Sequence, residues 1–250
     1  MPDPIFSDWL EALEARHLAD LRVPELTRAL RALSSAYVER RHALRRGAAL
    51  DSAGKRAAFA LFFAPLHFLV VHHVVTRLGI HHPPPDSIVD LGCGSGASGA
   101  AWALAAGGVP PVFGVDRHPW AVGEAAWTYR TLGLQGRARV GDAPRVRLPR
   151  GDVGIIAAYL LNELDDEPRG TLVATLLDAA RRGGRVLVLE PIARAAAPWW
   201  DAVASQVIRA GGRCDEWLVP LDLPPLLEKF DRAAGLHHRQ VKARSISIGG

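Results

Sequence analysis

A chain of 250 residues, 49% of them hydrophobic and 22% charged, buries one large core or a core with an accessory domain, and its composition excludes a mainly disordered protein. The formal charge is +4, and Lys55, Lys229 and Lys242 are the only lysines. Arginine therefore carries the basic character, which suits a polyanionic partner such as RNA and is equally compatible with a biased composition. Two cysteines, Cys93 and Cys214, are too few for a disulfide framework, and neither has a zinc-type spacing.

From the N-terminus, Asp3, Asp8 and Trp9 stand where an export signal would place a basic stretch and an apolar block, so a cytoplasmic protein is expected. Leu10, Leu13, Leu18 and Leu21, then Leu26, Leu30 and Leu33, recur at helical spacing, with Pro24 and Gly47 as punctuation. The uncharged run from Ala57 to Val71 is interrupted by Pro65 and His67 and has no companion further on, which predicts a buried helix rather than a membrane span. The connector His81-His82-Pro83-Pro84-Pro85-Asp86 is stiff and extended. It divides an N-terminal helical domain, residues 1–82, from a second domain, residues 83–250.

Beyond the connector, short apolar strands alternate with helices, the pattern of right-handed βαβ crossovers in a parallel sheet. Strands are predicted at Ser87–Leu91, Val112–Val115, Ala138–Val140, Val153–Ala158 and Arg185–Glu190. Helices are predicted at Ser98–Ala106, Ala121–Leu132 and Arg169–Arg181, the last behind the acidic group Glu163, Asp165, Asp166 and Glu167, whose charge suits a helix N-terminus. The tail reads as helix (Pro198–Ala210), strand (Arg213–Val219), helix (Pro224–Ala234) and strand (His238–Ile248), which adds an antiparallel member to the sheet. The expected class is α/β, a Rossmann-like doubly wound sheet.

The strongest chemical signal is Ile88-Val89-Asp90-Leu91-Gly92-Cys93-Gly94-Ser95-Gly96, a buried-strand run passing directly into glycines ahead of a helix. Such glycines permit a tight turn and close approach of a ligand to the backbone, and the helix N-terminus offers free N–H groups to an anion. Gly92, Gly94 and Ala97 also satisfy the dinucleotide fingerprint, so a nicotinamide dehydrogenase is an alternative at this stage. Asp116, at the end of the second strand, is placed to accept hydrogen bonds from both ribose hydroxyls. Asp142, after the third, is placed to meet the exocyclic amine of adenine. Together the two acids favour an adenosyl ligand.

With those residues, the chain resembles the class I S-adenosylmethionine-dependent methyltransferases, whose acid-x-Gly-x-Gly-x-Gly pattern is matched by Asp90, Gly92, Gly94 and Gly96. The resemblance covers about Ser87 to Glu190. It implies S-adenosyl-L-methionine as cofactor, S-adenosyl-L-homocysteine as product, and a glycine loop that holds the methionine portion. The cofactor pocket it implies comprises Asp90, Gly92, Cys93, Gly94, Gly96, Asp116, Arg117, Gly141, Asp142, Ala143 and Ala158.

The fourth strand closes on Ala157-Ala158-Tyr159-Leu160-Leu161-Asn162-Glu163-Leu164, which lacks the Asn/Asp-Pro-Pro-Tyr/Phe run of many amino-group methyltransferases. The string resembles the ribosomal small-subunit methyltransferase-like family of mitochondria and bacteria, as do Ala32 to Arg41 and Leu187-Val188-Leu189-Glu190-Pro191. That family often carries several C-terminal cysteines for a metal cluster; here only Cys214 is present, so no metal site is expected. Methyl transfer from a sulfonium needs chiefly alignment, and a base only where the nucleophile must lose a proton. Tyr159, Asn162 and Glu163 are the candidates for orienting the acceptor, with Glu163 as base or, alternatively, as a helix cap.

The histidine pairs at residues 72–73, 81–82 and 237–238 lack metal-site spacing, and His118 is expected to border the cofactor pocket. Arg22, Arg28, Arg31, Arg40, Arg41, Arg45, Arg46, Lys55 and Arg56, with Tyr37 for stacking, suit an RNA backbone or a solvated helical face. Trp199 and Trp200 are expected to pack the last helix on the sheet. The expectation is methyl transfer to RNA, slightly favoured, or to a small molecule, without a membrane or sequence-specific DNA partner. A non-catalytic cofactor-binding ribosome-assembly factor is the alternative.

Overall fold

The computed structural model describes residues 4–18, 23–39, 50–192 and 197–249. Arg22, Arg40, Arg41, Arg45 and Arg46, and the side chain of Tyr37, lie outside them. Two helices open the chain, α1 (Pro4–His17) and α2 (Val23–Glu39). A long apolar helix follows as α3 (Ala53–Ala58), a π-helical turn at Phe59–Phe63, and α4 (Ala64–Leu78). The π turn has a local cause. Pro65 has no N–H to offer the carbonyl four residues back, and the backbone widens there, Ala64 N–H donating to Phe59 O.

Next come β1 (Ser87–Leu91), α5 (Ala97–Ala105), β2 (Val112–Asp116), α6 (Pro119–Thr131), β3 (Gly136–Val140), β4 (Val153–Ala158), α7 (Asp166–Arg181), β5 (Arg185–Pro191), α8 (Trp200–Arg209), β6 (Arg213–Pro220), α9 (Pro225–Ala233) and β7 (Gln240–Ile248). The seven strands form one sheet in the order β3-β2-β1-β4-β5-β7-β6. β3 through β5 pair in parallel, and β7 runs antiparallel to both β5 and β6. β1, β4 and β5 are almost wholly buried, as their unbroken apolar runs require when helices cover both faces. The α/β class, the strand succession and the added antiparallel member are those expected from the sequence.

Two differences have physical reasons. β3 begins at Gly136, two residues ahead of the predicted start, because Gly136 lies flat against Tyr129, whose Cδ2 a Cβ at that position would approach to 2.6 Å. Glycine and arginine carry little strand propensity, so packing and not local preference sets that end. The second difference concerns the boundary at Pro83, which separates helical from alternating architecture without separating two cores. Phe6, Trp9 and Leu13 of α1, Leu26, Leu30 and Leu33 of α2, and the buried face of α4 join Ile88 and Trp102 in one continuous apolar cluster. Arg185 of β5 fastens the connector, donating from Nη1 to the carbonyls of Ile80 (3.0 Å) and Pro83 (2.6 Å) and pairing through Nη2 with Asp152. Residues Ala53–Leu78 are long and apolar enough to cross a bilayer, yet 67% of that apolar stretch is buried inside the fold.

Candidate functional site

β1 delivers the glycine loop to the point where the strand order reverses, between β1 and β4, and a crevice opens there beyond the strand ends. Gly92, Gly94 and Gly96 take φ values of 68°, 52° and 83°, backbone that side-chain-bearing residues seldom adopt. Leu160 sits so close over Gly92 that a Cβ there would lie 2.7 Å from its Cδ1. The loop is fastened to β2: Gly92 and Cys93 both donate to Val115 O (2.8 and 3.0 Å), and Gly94 donates to Oδ2 of Asp116 (2.9 Å). Asp116 also accepts from His118 N–H through Oδ1 at 2.8 Å, so a single carboxylate orders both banks of the crevice and keeps free lone pairs for a ligand.

A cavity of about 510 Å³ fills this crevice. Of the sequence-predicted pocket residues, Gly92, Cys93, Gly94, Asp116, Arg117, Gly141, Asp142, Ala143 and Ala158 line it, with His118 at its border. Asp90 and Gly96 do not. Asp90 is buried beneath the loop, where its Oδ2 accepts from Gly99 N–H at 2.7 Å and fixes the first turn of α5; burial pushes its carboxyl up to about 7. Gly96 turns toward α6, where a Cβ would meet Tyr129 at 2.8 Å. Asp142 is gripped by Arg117 (Nη2 to Oδ1, 2.6 Å) and lies 3.6 Å from Nε of Arg145. The Cys93 thiol is buried and its pKa is raised by that burial, so it serves as packing.

The chain leaving β4 provides the opposite wall. Tyr159 has φ 59°, the one positive value among the described non-glycine residues; such backbone costs of order 1–3 kcal/mol and persists only where the surroundings hold it. Its N–H donates to Leu189 O at 2.7 Å, and its ring stacks on His67 with centroids 3.9 Å apart and planes 20° from parallel. Burial raises the Tyr159 hydroxyl, which stays protonated, and lowers His67 to about 3, which stays neutral. Glu163 also lines the cavity; burial, with Asp116 adding to it, pushes its carboxyl up to about 7. Its backbone N–H donates to Leu160 O at 2.9 Å, and its carboxylate has no hydrogen-bond partner among the described residues.

Asn162 does not join Tyr159 and Glu163 at the cavity. Neighbours in the tight 3₁₀ turn Leu161–Glu163 point in different directions, and Asn162 turns inward to Glu190. Its backbone N–H donates to Oε1 (3.2 Å) and its Nδ2 to Oε2 (2.5 Å), while Trp199 Nε1 donates to its Oδ1 (3.2 Å). Glu190 is fully buried, and that burial pushes its carboxyl up to about 8. The pair is a clip that fixes the turn carrying Glu163.

The lining residues from the N-terminal segment, Leu50, Phe59 and His67, lie outside the sequence motifs. Eight residues along an ordinary α-helix place two side chains roughly 80° apart around its axis. The π turn between Phe59 and His67 takes up that excess, so both rings face the glycine loop and meet edge to face, centroids 6.2 Å apart. A lone polar His67 inside an apolar helix was the available signal.

An adenosyl ligand fits this site: glycines form a cradle that any Cβ would obstruct, acids stand at the ends of β2 and β3, and the cavity suits a cofactor-sized molecule. Comparison with known proteins agrees. Residues 88–184 match the family described as methyltransferase domain. Over 125 residues the chain is 34% identical to the ribosomal protein L11 methyltransferase of Methylococcus capsulatus, which covers 50% of this chain and 39% of that protein. The chain thus spans well under half the length of this curated relative. Among solved structures it is similar to a S-adenosylmethionine-dependent methyltransferase from Aquifex aeolicus (15% identity, 74% of this chain, 93% of the other, TM-score 0.51). It is also similar to the N-methyltransferase NodS from Bradyrhizobium japonicum in complex with S-adenosyl-L-homocysteine (14%, 72% and 86%, TM-score 0.50). At these identities the structural likeness speaks for the fold. Residues 88–184 thus carry the match to a methyltransferase domain, and the solved structures share the fold around it.

Proposed function

We propose that the protein binds S-adenosylmethionine in the cavity beyond β1, β2 and β4 and transfers its methyl group to an acceptor that enters beside Tyr159 and Glu163. The observation that carries this is the joining, in one cavity, of the glycine cradle and Asp116 with a half-buried Glu163 carboxyl whose pKa is raised to about 7. When bound, the cofactor supplies an electrophilic methyl group on a good leaving group. The chain's part is to hold a ribose at Asp116, to exclude water with Leu50, Phe59 and Leu160, and to take a proton from the acceptor at a Glu163 carboxylate oxygen. Tyr159, fixed by its backbone bond to Leu189, presents a hydroxyl donor. Isothermal titration with S-adenosylmethionine tests the assignment. Micromolar binding is expected, weakened roughly 5- to 150-fold in Asp116→Ala, since a lost buried polar pairing costs about 1–3 kcal/mol. An unchanged dissociation constant would remove Asp116 from the site.

For the acceptor, RNA, and ribosomal RNA in particular, is favoured over a small molecule. Arg137, Arg139, Arg147 and Arg150 are exposed and have no acidic partner among the described residues. They follow β3 and the segment after it, the sheet edge next to Asp142 at the cavity mouth. The resemblance of residues 157–164 to the ribosomal small-subunit methyltransferase-like family points the same way. Binding to a ribosomal RNA fragment should then fall with salt, each phosphate contact contributing about −0.7 to the logarithmic slope on a single strand. Salt-independent or absent binding would turn the search to small molecules or to a protein substrate, the latter in keeping with the name of the curated relative.

A further inference from the structure

The turn that carries Glu163 is held from behind by an arginine. Arg169, in the first turn of α7, is 6% exposed, and a buried guanidinium is tolerated only where its N–H groups find acceptors. Two of the three acceptors it finds belong to the turn. Nε donates to Leu161 O at 3.0 Å and Nη2 donates to Leu164 O, while Nη1 pairs with Asp166, whose side chain is 99% exposed. The fork therefore spans the two carbonyls that bracket Asn162 and Glu163. Its outer face is covered by the Trp199 ring, 5.1 Å from the guanidinium, and Trp199 in turn donates to Asn162. From the other side the Glu190 carboxylate takes the N–H groups of Leu161 and Asn162.

The side chains of Leu161 and Leu164 are buried in the core, which fixes where the turn lies. The direction in which Glu163 points depends on the tilt of the peptide planes between them, and in so short a turn that tilt follows from what the carbonyls meet. A planar guanidinium, with its donors in a rigid fork, fixes both carbonyls at once. Resting on the reading that Glu163 faces the acceptor, we propose that Arg169 is a positioning residue for Glu163. Through the carbonyls of Leu161 and Leu164 it sets the tilt of the turn and holds the Glu163 carboxyl at the cofactor cavity. It acts through the backbone, since the charges that Glu163 feels are those of Asp116 and Arg117. Arg169 itself does not line the cofactor cavity. It lines a second one of about 430 Å³ between α7 and α8, which solvent reaches past the exposed residues Gly170, Ala202 and Gln206.

The test needs no acceptor. The Glu163 carboxyl is followed by NMR in protein carrying ¹³C at its glutamate carboxyls, the signal being assigned by its absence from Glu163→Gln. In the wild type it should titrate at about 7. In Arg169→Ala the released turn lets the carboxyl reach water, and the midpoint should fall toward the ordinary value of about 4. The sign separates two routes, because loss of a positive charge acting directly would raise a carboxyl. Millimolar guanidinium chloride, entering through the second cavity, should return the midpoint toward that of the wild type, while sodium chloride at the same concentration should not. Thermal unfolding confirms that the variant is folded. Should Arg169→Ala fail to fold, Arg169→Gln, which keeps a donor but cannot span two carbonyls, takes its place under the same criteria. An unchanged or raised midpoint in the folded variant would overturn the proposal, as would a fall that guanidinium leaves in place. S-adenosylmethionine is titrated calorimetrically into the same wild-type protein. Absence of binding would overturn the cofactor reading and the catalytic meaning of this positioning, whereas an unmoved Glu163 in a protein that binds the cofactor would overturn the present inference alone.

Discussion

Glu163 and Asn162 are adjacent in sequence, both polar and both plausible at a reacting centre, yet the 3₁₀ turn sends one to the cavity and the other to Glu190. Their consequences for the pH dependence of turnover differ accordingly. With its carboxyl pushed up to about 7, Glu163 accepts a proton only when ionised, so turnover of an acceptor that must lose a proton should rise as pH passes through about 7. In Glu163→Gln that rise should disappear and turnover fall by about 10²- to 10⁴-fold, the usual contribution of a general base, with cofactor affinity little changed. Wild-type rates in the variant would remove Glu163 from the proton path. The sequence exposed Glu163 as an acid in the right place, but it carried no sign of Asn162's partner, because Glu190 lies 28 residues away and only the β4–β5 pairing brings them together. Asp90 is a similar case. The acid opening the glycine motif is conspicuous in the sequence, and its place under the loop, bonded to Gly99, depends on the helix that packs above it.

At the scale of elements, the N-terminal helices are part of the site's architecture. α1 is held to α6 by Glu124, which is 1% exposed and accepts from Arg16 Nε (3.1 Å) while pairing with His17 Nε2 (2.6 Å). Arg16 also lies over the Trp127 ring at 4.8 Å. Glu124→Ala should cost about 1–2 kcal/mol, toward the lower end for a buried charged contact because the half-exposed Arg16 can return to water. The loss should be local, with faster amide exchange along Pro4–His17 and unchanged protection in β1, β4 and β5. A uniform loss across the sheet would show that α1 has no separable role. Helical periodicity was enough to predict α1, α2 and the long apolar helix. It gave no indication of the π turn, whose effect is to rotate Phe59 into line with His67. A one-residue widening leaves the composition of a helix unchanged and alters only which side chains share a face.

For the molecule as a whole, the buried carboxyls of Asp90 and Glu190 and the half-buried one of Glu163 set the response to pH. Asp90 and Glu163 are pushed up to about 7 and Glu190 to about 8, each chiefly by burial. The folded form therefore binds protons that the unfolded chain has already released. The stability these groups contribute is complete below their unfolded values near 4 and is lost as pH rises through about 7 to 8, at most about 1.4 kcal/mol per pH unit for each group. Urea unfolding should show a less stable protein at pH 9 than at pH 5, and a smaller difference in Glu190→Gln; equal stability at both would contradict the burial of these acids. The order of strands and helices, the glycine loop and the acids after β2 and β3 were determined by the sequence itself. They rest on short-range chemistry: strand runs apolar on both faces, the conformational freedom of glycine at a tight turn, and the position of a polar residue where a strand ends. Only the tertiary structure decided that the helical segment shares one core with the sheet, that Arg185 fastens the connector, and that His67, beside Phe59, stacks on Tyr159 at the cavity. Those contacts join residues up to about a hundred positions apart, and no local pattern in the chain records which distant side chain will complete a pocket.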